Sequence, residues 1–120
     1  MQVLVCVLNK VSALEDIFKN LSDHNLHGAT VLSSKGMAHI LAESEDIRFM
    51  ESLIMLLNPE NSESKTFFMV ICDERVDEAI SVIDESVGGI NNPDTGVIFT
   101  LPVLRMEGFG KENCAGSKDS

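Results

Sequence analysis

Val3-Leu4-Val5-Cys6-Val7-Leu8, followed after a short step by Ser12-Ala13-Leu14-Glu15, decides the fold of this 120-residue chain. The apolar run is unbroken but too short for a buried helix, so it reads as a central strand covered on both faces. Ser12 and Glu15 have the spacing of a capping box, in which the serine takes an orphan backbone N–H and the glutamate reaches back. Leu14, Ile17, Phe18 and Leu21 then recur at i, i+3, i+4 and i+7, the apolar stripe of a helix. That helix should fray near Asp23 and stop before Gly28.

Outward from this unit, residues 28–34 carry Thr30, Val31 and Leu32 and read as a second strand. Lys35-Gly36-Met37-Ala38 breaks the pattern. Residues 45–57 read as a short helix apolar on more than one side, with Ser44 as its cap and Pro59 beyond its end. A helix of that kind packs on its own subunit or on a neighbour rather than standing in water. Residues 58–65 are a polar loop, and 66–72 form a third apolar strand. Asp73 is placed to cap a second long helix whose stripe is Val76, Ala79, Ile80, Ile83 and Val87. Gly88-Gly89 ends it, the turn-rich residues 91–96 follow, and 97–101 make a fourth strand with Pro102 at its end.

Strand, helix, strand, insert, strand, helix, strand is the order of an α+β protein. The expected architecture is a ferredoxin-like βαββαβ sandwich, a four-stranded antiparallel sheet with two helices on one face and a helical insert after the second strand. One domain covers residues 1–109, with the insert at 37–65, and residues 110–120 form a mobile tail. Fold of this kind hosts many functions and selects none.

Composition removes several classes. Nine basic and 19 acidic residues give a net charge of −10, which repels phosphate backbones and anionic lipid. No nucleic-acid partner and no direct membrane insertion are expected, since no stretch approaches the roughly 18 apolar residues of a span. The N-terminal run lacks a basic leader and a cleavage site, so it does not read as a signal peptide. Three cysteines, Cys6, Cys72 and Cys114, show no pairing pattern and suggest reduced thiols and a cytoplasmic location. His24, His27 and His39 have no ligand spacing and read as surface histidines, so no metal is expected. No nucleophile elbow, Ser/His/Asp order or P-loop is present, and the chain reads as a non-enzyme.

Three dispersed segments carry a family resemblance. His27-Gly28-Ala29-Thr30-Val31-Leu32-Ser33-Ser34-Lys35-Gly36-Met37 is similar to a G-x-T-V-x-x-x-K-G-[FM] segment. Val70-Ile71-Cys72-Asp73-Glu74-Arg75-Val76-Asp77 is the second. Asp94-Thr95-Gly96-Val97-Ile98-Phe99-Thr100-Leu101-Pro102-Val103 resembles G-D-G-K-I-F-x-x-P-V. In order and spacing the chain resembles the PII-type signal-transduction proteins, the nitrogen regulatory protein P-II family. The resemblance implies a homotrimer with a cleft between each pair of subunits, an adenine nucleotide as effector, and a loop after the second strand that signals to a protein partner such as a transporter or an enzyme. It places Thr30, Lys35, Gly36, Met37 and Val70 on the adenine side of the cleft. Asp94, Thr95 and Gly96 fall on the phosphate side, and Arg105 stands where the family carries arginines.

The departures are equally concrete. Val97 stands where the family has a lysine, Asp94 replaces a glycine, and only Arg105, with Lys111 as a loose substitute, represents the arginine pair. Phosphates need cations or aligned N–H groups. The losses point to a less charged effector, a mononucleotide or another adenine compound, or to an oligomeric interaction module that binds no nucleotide. An ACT-like small-molecule domain shares the fold but pairs as dimers. With no tyrosine in the chain, the uridylylation of some family members has no acceptor.

Overall fold

β1 (Gln2–Leu8) is the strand on which the rest assembles in the computed structural model, which describes residues 1–42 and 63–108. The chain continues through a 3₁₀ turn at Val11–Ala13 into α1 (Leu14–Asp23), then β2 (Thr30–Ser34) and α2 (Met37–Ala42). From residue 63 onward come β3 (Ser64–Ile71), a 3₁₀ turn at Asp73–Arg75, α3 (Val76–Ser86) and β4 (Gly96–Pro102). The strands lie in the order β2-β3-β1-β4. Every neighbouring pair is antiparallel, with Val5 opposite both Phe68 and Phe99 and Phe68 opposite Thr30. Among the described residues the molecule is α+β, a four-stranded antiparallel sheet with two principal helices, and is compatible with a ferredoxin-like fold. No described helix is long and apolar enough to cross a membrane.

Alternation along the strands decides where the core sits. Leu4, Cys6 and Leu8 of β1 are buried, as are Phe67, Met69 and Ile71 of β3. Both helices close over them, α1 with Ile17 and Leu21, α3 with Val76, Ala79, Val82 and Ile83. Phe18 meets Phe67 edge-on with ring centroids 5.1 Å apart, the arrangement the ring quadrupoles favour. Asn20 Nδ2 donates to Ser86 Oγ at 2.9 Å and ties the two helices together. Cys6 is a free thiol whose burial pushes its pKa up to about 12, so it acts as a small apolar side chain.

Several expectations are corrected. β1 is central but not covered on both faces. Val3, Val5 and Val7 are only half-buried, because the helices occupy one side of the sheet and the described residues leave the other open. Ser12 does not begin the helix: it lies inside the 3₁₀ turn, and Ala13 holds the cap position of α1 without a side-chain cap. Asp73 is likewise inside a turn, with Cys72 at the cap position. Its carboxylate instead accepts from Gln2 Nε2 at 3.2 Å and pairs with the Met1 amine at 3.2 Å. Cys72 is half-buried and disulfide-bonded, so the reduced reading holds for Cys6 and not for Cys72. Met37–Ala42 is helical where only a break was expected, consistent with its run of Met, Ala and Leu. The expected helix at 45–57, its Ser44 cap, residues 58–62 of the loop and the tail at 110–120 lie outside the described residues.

The junction of the helices carries a pH prediction. Glu78 Oε2 lies 2.8 Å from His24 Nδ1, and Glu78 Oε1 accepts from Arg75 Nη2 at 2.8 Å. His24, then Arg75, hold its pKa below the usual 4.5. Gln2, then the terminal amine, hold Asp73 below 3.8. A depressed carboxylate stabilises the fold above its unfolded pKa and loses that contribution as pH falls through the folded one. Urea midpoints should therefore be flat from pH 7 to about 5 and fall below it, with fewer than two protons taken up on unfolding at these sites. Glu78→Gln should shrink the acid-side slope. An unchanged slope would mean the junction does not contribute.

Candidate functional site

The open side of the sheet is built by strict alternation. Residues opposite one another share a face, so the register gives three rows: Leu32, Thr66, Val7 and Val97; Thr30, Phe68, Val5 and Phe99; Val70, Val3 and Leu101. Leu32, Val97, Phe99 and Leu101 are each about half exposed, at 52%, 51%, 45% and 48%. None of these positions carries a charge, in a chain whose net charge is −10. Contiguous apolar surface of this extent marks an interaction face, since leaving it in water is unfavourable.

The residues expected to bind a ligand fall at three places around this face. Lys35, Gly36 and Met37 follow the end of β2, and the Met37 side chain is 75% exposed. Asp94, Thr95 and Gly96 precede β4. Register puts both groups at the same end of the sheet but on its opposite edges, three strand spacings or ~14 Å apart. Thr30 and Val70 lie on the open face farther along β2 and β3. Arg105 lies beyond the far end of β4, a strand that spans ~20 Å. It is exposed and pairs with Glu107. The nine residues therefore do not converge within one chain.

The Asp94–Gly96 corner is shaped by the backbone. Asn9 N and Lys10 N both donate to Thr95 O, at 3.0 and 3.1 Å, which joins the end of β1 to the start of β4. Thr95 is buried, and its hydroxyl donates to Pro93 O at 3.3 Å. Asp94 adopts a positive φ of 58°, a conformation that Asp tolerates better than most residues. The sequence reading passed over Lys10, whose Nζ donates to Val87 O at 3.3 Å beside this corner. Its position directly after the first strand was the available signal.

At the other corner the sequence reading missed a hydroxyl cluster. Ser34 Oγ lies 2.8 Å from Ser64 Oγ and 2.9 Å from Thr66 Oγ1, and Ser64 is buried. Alternating hydroxyls at 64 and 66 opposite Ser34 were its signature, legible only once the register was known. The cluster supplies donors and acceptors beside Lys35. His24 is engaged by Glu78, and no group of three His, Cys, Asp or Glu among the described residues can hold a metal ion. The side chain of His39 lies outside the described residues. No protein-family model matches this chain, and no curated protein matches it.

Proposed function

We propose that the chain is a PII-like regulatory protein, a homotrimer that senses a small effector, an adenine nucleotide or a related adenine compound, in clefts between subunits and signals to a protein partner. In this reading the fold is the ferredoxin-like βαββαβ sandwich with a helical insert after β2, the location is cytoplasmic, and the protein performs no catalysis. The observation that carries it is the uncharged apolar sheet face flanked by the two half-sites at opposite edges. A face without charge is where two copies at −10 each approach with least repulsion. Half-sites on opposite edges meet only when one subunit's β2 edge approaches another's β4 edge. A head-to-tail contact of this kind gives a closed ring when the rotation between copies closes, and the proposed trimer is such a ring. Binding then gives the effector differential affinity for two arrangements of the partner surface.

A second reading, an oligomeric interaction module with no nucleotide site, is favoured by the exposed Val97 and by Asp94 in the phosphate-side corner. Solution mass combined with calorimetry against adenine nucleotides and cyclic dinucleotides tests both. A trimer that binds one of them supports the sensor. A trimer that binds none leaves the module, and a dimer leaves the ACT-like reading. Gly36→Ala sharpens the test, because a Cβ there meets nothing within 4 Å in the single chain. Stability should change by less than about 0.5 kcal/mol. Effector affinity should fall severalfold, and unchanged affinity would remove Gly36 from the cleft.

A further inference from the structure

Three hydroxyls meet where β2 ends and β3 begins, and the protons they share run in one direction. Ser64 is buried, and its Oγ donates to Ser34 O at 3.1 Å. A hydroxyl carries a single proton. That of Ser64 is spent on the carbonyl, so Ser34 is the donor at the 2.8 Å contact between Ser34 Oγ and Ser64 Oγ. With the Ser34 proton spent in turn, Thr66 donates at the 2.9 Å contact between Thr66 Oγ1 and Ser34 Oγ. The relay therefore runs from Thr66 through Ser34 and Ser64 to a backbone carbonyl. Its outer end, Thr66 Oγ1, keeps lone pairs and has no proton to offer.

This acceptor stands on the uncharged open face. Thr66 is half-buried, with Leu32 opposite it on β2 and Val7 opposite it on β1. Phe68, two residues along the same strand and about 7 Å away, shares its face and is exposed, as is Leu32. We propose, resting on the reading of this face as part of the effector cleft, that Thr66 selects the effector: it takes a flat heteroaromatic ring bearing an amino group and rejects the same ring bearing a carbonyl there. Bases stack on aromatic side chains with little regard to identity, so Phe68 holds either ring. Discrimination falls to the oxygen beside it. An amino group donates to Thr66 Oγ1. A carbonyl brings a second acceptor to an oxygen without a proton, and both groups lose water with no bond in return.

Calorimetry of the full chain against adenosine monophosphate and inosine monophosphate isolates this contact, because the two differ by an amino group and a carbonyl at one ring position. The adenosine form should bind about tenfold tighter or more. Thr66→Val keeps the branched shape on β3 and removes the acceptor, and should bring the ratio close to one. Thr66→Ser should retain it. A purely structural role for Thr66 would weaken both ligands alike and leave the ratio where it was. Should Thr66→Val fail to fold, Ser34→Ala decides: with no oxygen to receive it, the Thr66 proton is released to meet a carbonyl, and the preference should shrink. Equal affinities in the unaltered chain, or a ratio that survives these variants, would overturn the role of Thr66 and leave the cleft standing. Binding of neither nucleotide would overturn both.

Discussion

Phe99→Glu should convert the proposed trimer into single chains of 13.1 kDa without unfolding them. Phe99 is 45% exposed in the single chain, so a carboxylate there remains hydrated and the sheet keeps its pairing with Val5. In a closed ring the same carboxylate is stripped of water in every copy. Burying an unpaired charge in apolar surroundings costs several kcal/mol, and the cost repeats in each subunit. Leu101→Glu should act alike, being on the next row of the same face. The measurements are light-scattering mass and far-ultraviolet circular dichroism on both variants. An unchanged mass with an unchanged spectrum would show that this face is not the subunit contact, and the proposed cleft would go with it.

Gly96→Ala should be the most damaging small substitution in the described part of the chain. Gly96 has φ +153°, and a Cβ there would sit 2.6 Å from Val7 O and 3.3 Å from Leu8 Cα. Both obstacles are backbone of the central strand, so relief requires β4 to move away from β1 at the point where Thr95 O holds Asn9 and Lys10. Strained backbone and a clash of this kind together cost about 2–4 kcal/mol. For a domain of this size the melting temperature should drop by roughly 10–20 °C. Chemical denaturation should show a lower midpoint with an unchanged slope. Gly36→Ala, with open space around it, is the matched control. Equal stability of the two variants would contradict the close approach of β4 to β1.

These two glycines show where sequence reading reaches its limit. Gly36 and Gly96 both punctuate a turn before or after a strand, and nothing local separates them. Only the neighbouring strand makes one replaceable and the other not. Caps behave the same way. Ser12 and Asp73 each have the right type at the right offset, yet the turns begin early, with Lys10 and Cys72 at their cap positions. Asp73 is drawn to Gln2 and the terminal amine from the far end of the chain.

What the residues themselves decided is the set of strands, the two amphipathic helices and the side of each helix that enters the core, because periodicity is a local consequence of backbone geometry. Val3, Val5 and Val7 were legible as strand residues but not as an open face. An all-apolar strand looks identical whether its second side meets a helix, another subunit or water, and only the placement of α1 and α3 on the same side resolved it. The candidate site was legible as segments and not as a place. Lys35, Gly36 and Met37 share a corner, Asp94, Thr95 and Gly96 share another, and the strand order that separates them by two intervening strands is a property of long-range pairing. The hydroxyl cluster of Ser34, Ser64 and Thr66 arises from contacts between distant segments, which no local pattern encodes.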